Sequence, residues 1–128
     1  MPGKSELYTN TTERIIAWAG RHCREPNDIV TGLENLTDFD IPLPEGGNTG
    51  TKVIDDMILS KSADDYIRRK AFYRENKVRI AGTILAQCTE RLKVKLKSLP
   101  DWETSRKYGI LLLILLRDVL FNLSLIHI

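Results

Sequence analysis

The sequence predicts an all-α fold, and three observations carry that expectation. Apolar residues recur at three- and four-residue spacing along most of the chain, no stretch alternates as a half-buried strand does, and glycine and proline cluster between Leu36 and Thr51. A length of 128 residues with 42% hydrophobic content suits one domain around one modest core.

The first helix is expected to begin near residues 10–12, where Asn10 and Glu13 have the spacing of a cap and its N3 carboxylate, and to run to about Cys23. It puts Ile15, Ala19 and His22 on one side, with Ile16 and Cys23 beside them. Pro26 and Asn27 restart the chain, Asp28 suits the positive end of a new helix dipole, and Ile29, Val30, Leu33 and Leu36 give that helix a short apolar face. Residues 37–50, with Ile41-Pro42-Leu43-Pro44 before Gly46-Gly47, read as an extended arm, a connector or strap, because proline and its predecessor avoid the helical region.

Helical pattern resumes at Thr51, with a break expected at Ser60 to Ser62 and a long helix from about Ala63 to Gln87. Its expected buried stripe is Tyr66, Ile67, Ala71, Val78, Ala81, Ile84, Leu85 and Cys88. Thr89 can cap another helix carrying Leu92, Leu96 and Leu99, which Pro100 and Asp101 stop. A last helix over about 105–122 is apolar nearly all round. One small core cannot cover such a helix, so Leu111, Ile114 and Leu120 are expected to stay exposed and to drive self-association.

The net charge of +2 hides an asymmetry: residues 1–65 hold six basic and twelve acidic side chains, residues 66–128 thirteen and five. The two halves are expected to face different partners. Arg68, Arg69, Lys70, Arg74, Lys77, Arg79, Arg91, Lys93, Lys95 and Lys97 form a basic run that can attract a polyanion by releasing its counterions, or simply make a solvated helix face.

No catalytic, metal or cofactor site emerges from the residue pattern. Gly46-Gly47-Asn48-Thr49-Gly50-Thr51-Lys52 lacks the adjacent Gly-Lys, the following Ser or Thr and the preceding strand of a phosphate loop. His22, Cys23 and Cys88 are too few for a structural zinc site and read as ordinary side chains, the thiols buried. Asp38 and Asp40 have no base or nucleophile near them in sequence. Residues 1–6 contain no apolar signal core, so a reducing, cytoplasmic compartment is expected and the sequons at Asn10 and Asn35 unused. The apolar run Ile110 to Leu116 is far shorter than the roughly 20 residues of a membrane span.

The final residues, Leu123-Ser124-Leu125-Ile126-His127-Ile128, are what CTGTCTCTTATACACATC, the end of a common library-preparation transposon, encodes in one frame. Residues 123–128 are therefore set aside as adaptor-derived, natural sequence is expected to stop at about Asn122, and His127 is excluded from every candidate site.

A longer pattern lies in Tyr66-Ile67-Arg68-Arg69, Glu75-Asn76, Gln87-Cys88-Thr89, Leu92, Lys95-Leu96, Leu99-Pro100-Asp101, Leu112-Leu113, Arg117-Asp118-Val119 and Phe121-Asn122. Upstream stand Thr12-Glu13-Arg14-Ile15-Ile16, Ala19-Gly20-Arg21 and Ile41-Pro42. Over residues 12–122 the chain resembles Gag-like capsid proteins of copia-type retrotransposons. Leu85-Ala86 stands where that family commonly has Trp-Gly, and Leu111, Ile114 and Leu120 stand where polar residues are usual. The family's Cys-Cys-His-Cys zinc knuckle is absent, as a truncation before it requires.

The resemblance implies a capsid-like helical bundle over residues 12–122 behind an N-terminal tail of residues 1–11. It also implies a non-enzymatic protein that forms homo-oligomeric virus-like particles around the element's RNA. RNA binding by this fragment is expected to be weak and without sequence choice, with no small-molecule substrate, cofactor or membrane partner. The alternative is a cellular helical module that binds nucleic acid or another protein.

Overall fold

Six α-helices make up the fold, and among the described residues there is no strand. The computed structural model describes residues 4–126, with side chains from Tyr8 to Leu120. In chain order the helices are α1 (Lys4–His22), α2 (Asn27–Asn35), α3 (Lys52–Gln87), α4 (Glu90–Lys97), α5 (Trp102–Ser105) and α6 (Gly109–Ile126).

The apolar helix α6 lies at the centre, packed most extensively on α3 and also against α1, α2, α4 and α5. Ile110, Leu112, Leu113, Leu115, Leu116, Val119 and Leu120 are all buried. A helix apolar nearly all round is thus covered by neighbours on several sides, and the expectation that one core would leave three of its residues exposed is corrected: Leu120 is only 8% accessible. Leu111 is 43% accessible, and Ile114 lies between the two. The last helix also starts later than expected, because the chain turns at Arg106–Tyr108 after the short α5. Gly109 allows this entry: a Cβ there would collide with the Ile80 side chain and stand 3.1 Å from the Lys77 carbonyl oxygen, so only glycine lets α6 approach α3 so closely.

Helix α1 begins at Lys4, so residues 4–11 form its first turns and Asn10 lies inside it. Tyr8 extends the buried line of Ile15 and Ala19 toward the N-terminus at helical spacing, which outweighs the local cap pattern. The end of α1 and the turn after it are held from α3: Arg79 donates to the His22 oxygen at 3.1 Å and the buried Asn76 amide donates to the Arg24 oxygen at 2.8 Å. Glu25 turns the chain with a positive φ of 43°, and Leu36, at φ 51°, closes α2 by donating its N–H to the Gly32 and Leu33 carbonyls.

The expected break at Ser60 to Ser62 is absent, and α3 runs unbroken for 36 residues. Serine lowers helix propensity only modestly, and no glycine or proline lies between Gly50 and Gly82. Ser62 instead accepts the Glu45 N–H at 3.2 Å, serving the arm.

The stripe expected for α3 is also corrected. Tyr73, Asn76, Ile80, Ala81 and Ile84 are buried, and Tyr66, Leu85 and Cys88 are packed partly against the core, but Ile67 is 65% accessible, Val78 51%, and Ala71 is exposed. Two apolar lines on nearly opposite faces fit the sequence; the polar anchors Tyr73 and Asn76 mark the one turned inward. Thr89 caps α4 as expected, its hydroxyl accepting the Leu92 N–H at 3.2 Å, and Leu96 is fully buried.

The arm is a strap along α3, antiparallel to it. Asp38 meets Tyr73 and Lys77, Ile41 is buried, Glu45 meets Ser62, and Gly47 and Thr49 meet Asp55. The lengths agree: Asp38 to Thr49 spans about 34 Å at ~3.1 Å per extended residue, and Lys77 to Asp55 spans about 33 Å at ~1.5 Å per helical residue.

Candidate nucleic-acid and self-association surfaces

The basic run does not form one free face. Arg69 holds the nearly buried Asp28 of α2 with two bonds, Nε to Oδ2 at 3.0 Å and Nη2 to Oδ1 at 2.6 Å, and this carboxylate raises the guanidinium's pKa further. Arg68 pairs with Glu25 at 2.9 Å and Asp65 at 3.2 Å. Lys77 reaches Asp38 at 3.4 Å and lies over the rings of Tyr73 and Tyr108. Arg79 pairs with Glu75 besides holding α1, Lys93 pairs with Glu90, and Lys70 sits over the Tyr66 ring.

Arg74, Arg91, Lys95 and Lys97 are exposed and form no ion pair among the described residues. Three of these four belong to α4, which therefore carries most of the basic run's uncommitted positive charge. The acidic half of the chain folds onto the basic half through Glu25, Asp28 and Asp38, contrary to the expectation that the halves face different partners. Sequence reasoning missed those three carboxylates as partners. Arg69 and Lys77 lie 41 and 39 residues from theirs, and the only hint in the sequence was the opposite charge of the two halves.

On α6, Leu111 and Ile114 form a ridge between two shallow grooves. One, of about 230 Å³, is lined also by Asp38, Lys77, Tyr108 and Ile110; the other, of about 240 Å³, by Asp101, Thr104, Ser105, Leu115 and Asp118. Leu120 is buried elsewhere on the helix and takes no part in this ridge.

The strap's own anchor is the Tyr73 hydroxyl, which accepts the Phe39 N–H at 2.7 Å and donates to Asp38. Burial, and then the bond to Asp38, push its pKa upward, so the hydroxyl stays a donor. At the other end the Thr49 N–H and hydroxyl donate to Asp55 at 2.9 and 2.7 Å and hold its carboxyl below the usual range. Burial raises the pKa of Cys23 and of Cys88, which keeps both as thiols. His22 is exposed and stacks on Trp18, with ring centroids 5.0 Å apart. Among the described residues no three His, Cys, Asp or Glu side chains converge as metal ligands, and no helix is long and apolar enough to cross a membrane.

These features define an all-α domain whose longest helix is bound to an extended strap. No family model, curated protein sequence or solved structure matches the chain.

Proposed function

We propose that the chain is a structural Gag-like protein of a copia-type retrotransposon, assembling with copies of itself around the element's RNA in the cytoplasm, rather than an enzyme. One observation carries this reading: the ordered run of Glu75-Asn76, Gln87-Cys88-Thr89, Lys95-Leu96 and Leu99-Pro100-Asp101 follows the family's order on an all-helical chain. Three residues of that run occupy joints of the bundle. Asn76 ties α3 to the α1–α2 turn, Thr89 caps α4, and Leu96 fills the core.

RNA would be held through phosphates by Arg91, Lys95 and Lys97, since exposed cations on a helix select charge rather than sequence. The ridge of Leu111 and Ile114 would supply one contact between copies. Purified protein mixed with RNA should give homogeneous particles in sedimentation and electron microscopy. Stoichiometric RNA complexes without assembly would overturn the reading in favour of a helical nucleic-acid-binding module.

A further inference from the structure

The second apolar line of α3, which the core leaves outside, has its own order. Ser60, Asp64, Ile67, Ala71, Arg74 and Val78 are all exposed and recur at alternating steps of four and three residues, the spacing of a coiled-coil seam. They lie on the face opposite the buried Tyr73, Asn76, Ile80 and Ile84; Arg74, at the edge of that face, also lines a groove with Asp38 and Asp40 of the strap, without an ion pair to either. Neither Asp64 nor Arg74 has an ion-pair partner among the described residues.

We propose that this face of α3 pairs with the same face of a second copy, antiparallel about a two-fold axis at residue 69. In that register Ile67 lies opposite the partner's Ala71, Asp64 opposite the partner's Arg74, and Ser60 opposite the partner's Val78, and symmetry repeats each pair. The two unpaired charges find each other twice, flanking an apolar centre. Lys61, exposed beside the seam, comes alongside the partner's Glu75.

Charge selects both orientation and register. A parallel pair would set Asp64 on the partner's Asp64 and Arg74 on the partner's Arg74, placing like charges together. Sliding the antiparallel pair by one heptad sets Asp64 against the partner's Ile67, or Arg74 against the partner's Ala71, and leaves the charges unmatched. Of the cations that flank the axis, Arg68 is already bonded to Glu25 and Asp65, and Lys70 lies over Tyr66.

This pairing rests on α3 alone and stands or falls separately from assembly around RNA. The test is sedimentation equilibrium of four proteins, each carrying Leu111→Gln to silence the α6 ridge: the otherwise unchanged chain, Asp64→Arg, Arg74→Asp, and the double reversal. Helix content by circular dichroism controls for folding. The unchanged chain should dimerise, each single reversal should weaken the dimer by about tenfold or more, and the double reversal should restore it to within about threefold. A monomeric unchanged chain, or a double reversal no tighter than the singles, would overturn the pairing. If the dimers form as expected but RNA yields no particles, the pairing stands and the Gag-like reading fails.

Discussion

Asn76 shows how much one buried polar side chain can organise. Its amide, nearly inaccessible, gives a hydrogen bond to the Arg24 carbonyl, 52 residues earlier, where α1 has ended and α2 has not begun. Asn76→Ala leaves that carbonyl without its donor and should cost about 1–3 kcal/mol in urea unfolding. A loss below about 0.5 kcal/mol, within the range of an ordinary surface change, would mean that water serves the carbonyl instead. Asp55 offers a pH-dependent counterpart at the far end of the strap. Because the Thr49 bonds depress its folded pKa below the unfolded value, their contribution is present above the ordinary carboxylate range and disappears as pH falls through the lower folded value. The Thr49 amide resonance should therefore titrate with a midpoint below about 3.9, the ordinary aspartate value, and that titration should vanish in Asp55→Ala. A midpoint at or above the ordinary value would show that the strap end is not held by this carboxylate.

At the scale of the element, the contrast within α4 separates packing from exposure. Leu96 is fully buried, while Val94, two residues earlier, is 66% accessible. Leu96→Ala should destabilise by about 2–5 kcal/mol, through lost transfer energy and the cavity left behind, and Val94→Ala should stay within about 0.5 kcal/mol of the unchanged chain. Equal effects would mean that α4 does not dock through its leucine line. The helices also show why boundaries were harder to read than existence. Ser60 and Ser62 resemble a break because their hydroxyls compete for backbone groups, but Ser62 turns its oxygen to the strap and the helix continues. Thr89 was legible because its cap is local: donor and acceptor lie within three residues.

Across the whole molecule, folding uses part of the charge that composition advertises. Arg68, Arg69 and Lys77 are occupied by Glu25, Asp28 and Asp38, leaving Arg91, Lys95 and Lys97 of α4 to meet a polyanion. Reversing those three α4 charges should weaken RNA binding and flatten its salt dependence by roughly 0.7 for each phosphate no longer neutralised, without lowering thermal stability. Arg69→Ala should do the opposite, lowering the urea midpoint because Asp28 is left nearly buried without its cation, while RNA affinity changes little. Unchanged RNA affinity in the α4 variant would make that charge a solvated surface only.

The sequence by itself determined that the chain is helical, that the stretch between Leu36 and Thr51 is extended, that Thr89 starts a helix, and that α6 is the most apolar element. Each of these depends on residues within a few positions of one another, through backbone preference, local capping or periodicity. Only the tertiary structure decided which of two lines on α3 faces inward, that α6 is central enough to bury Leu120, and which cations are already paired. Those outcomes depend on partners tens of residues away: Arg24 for Asn76, Asp28 for Arg69, Asp38 for Tyr73 and Lys77. Local periodicity is the same for either face of α3, so only long-range hydrogen bonds and ion pairs could choose between them.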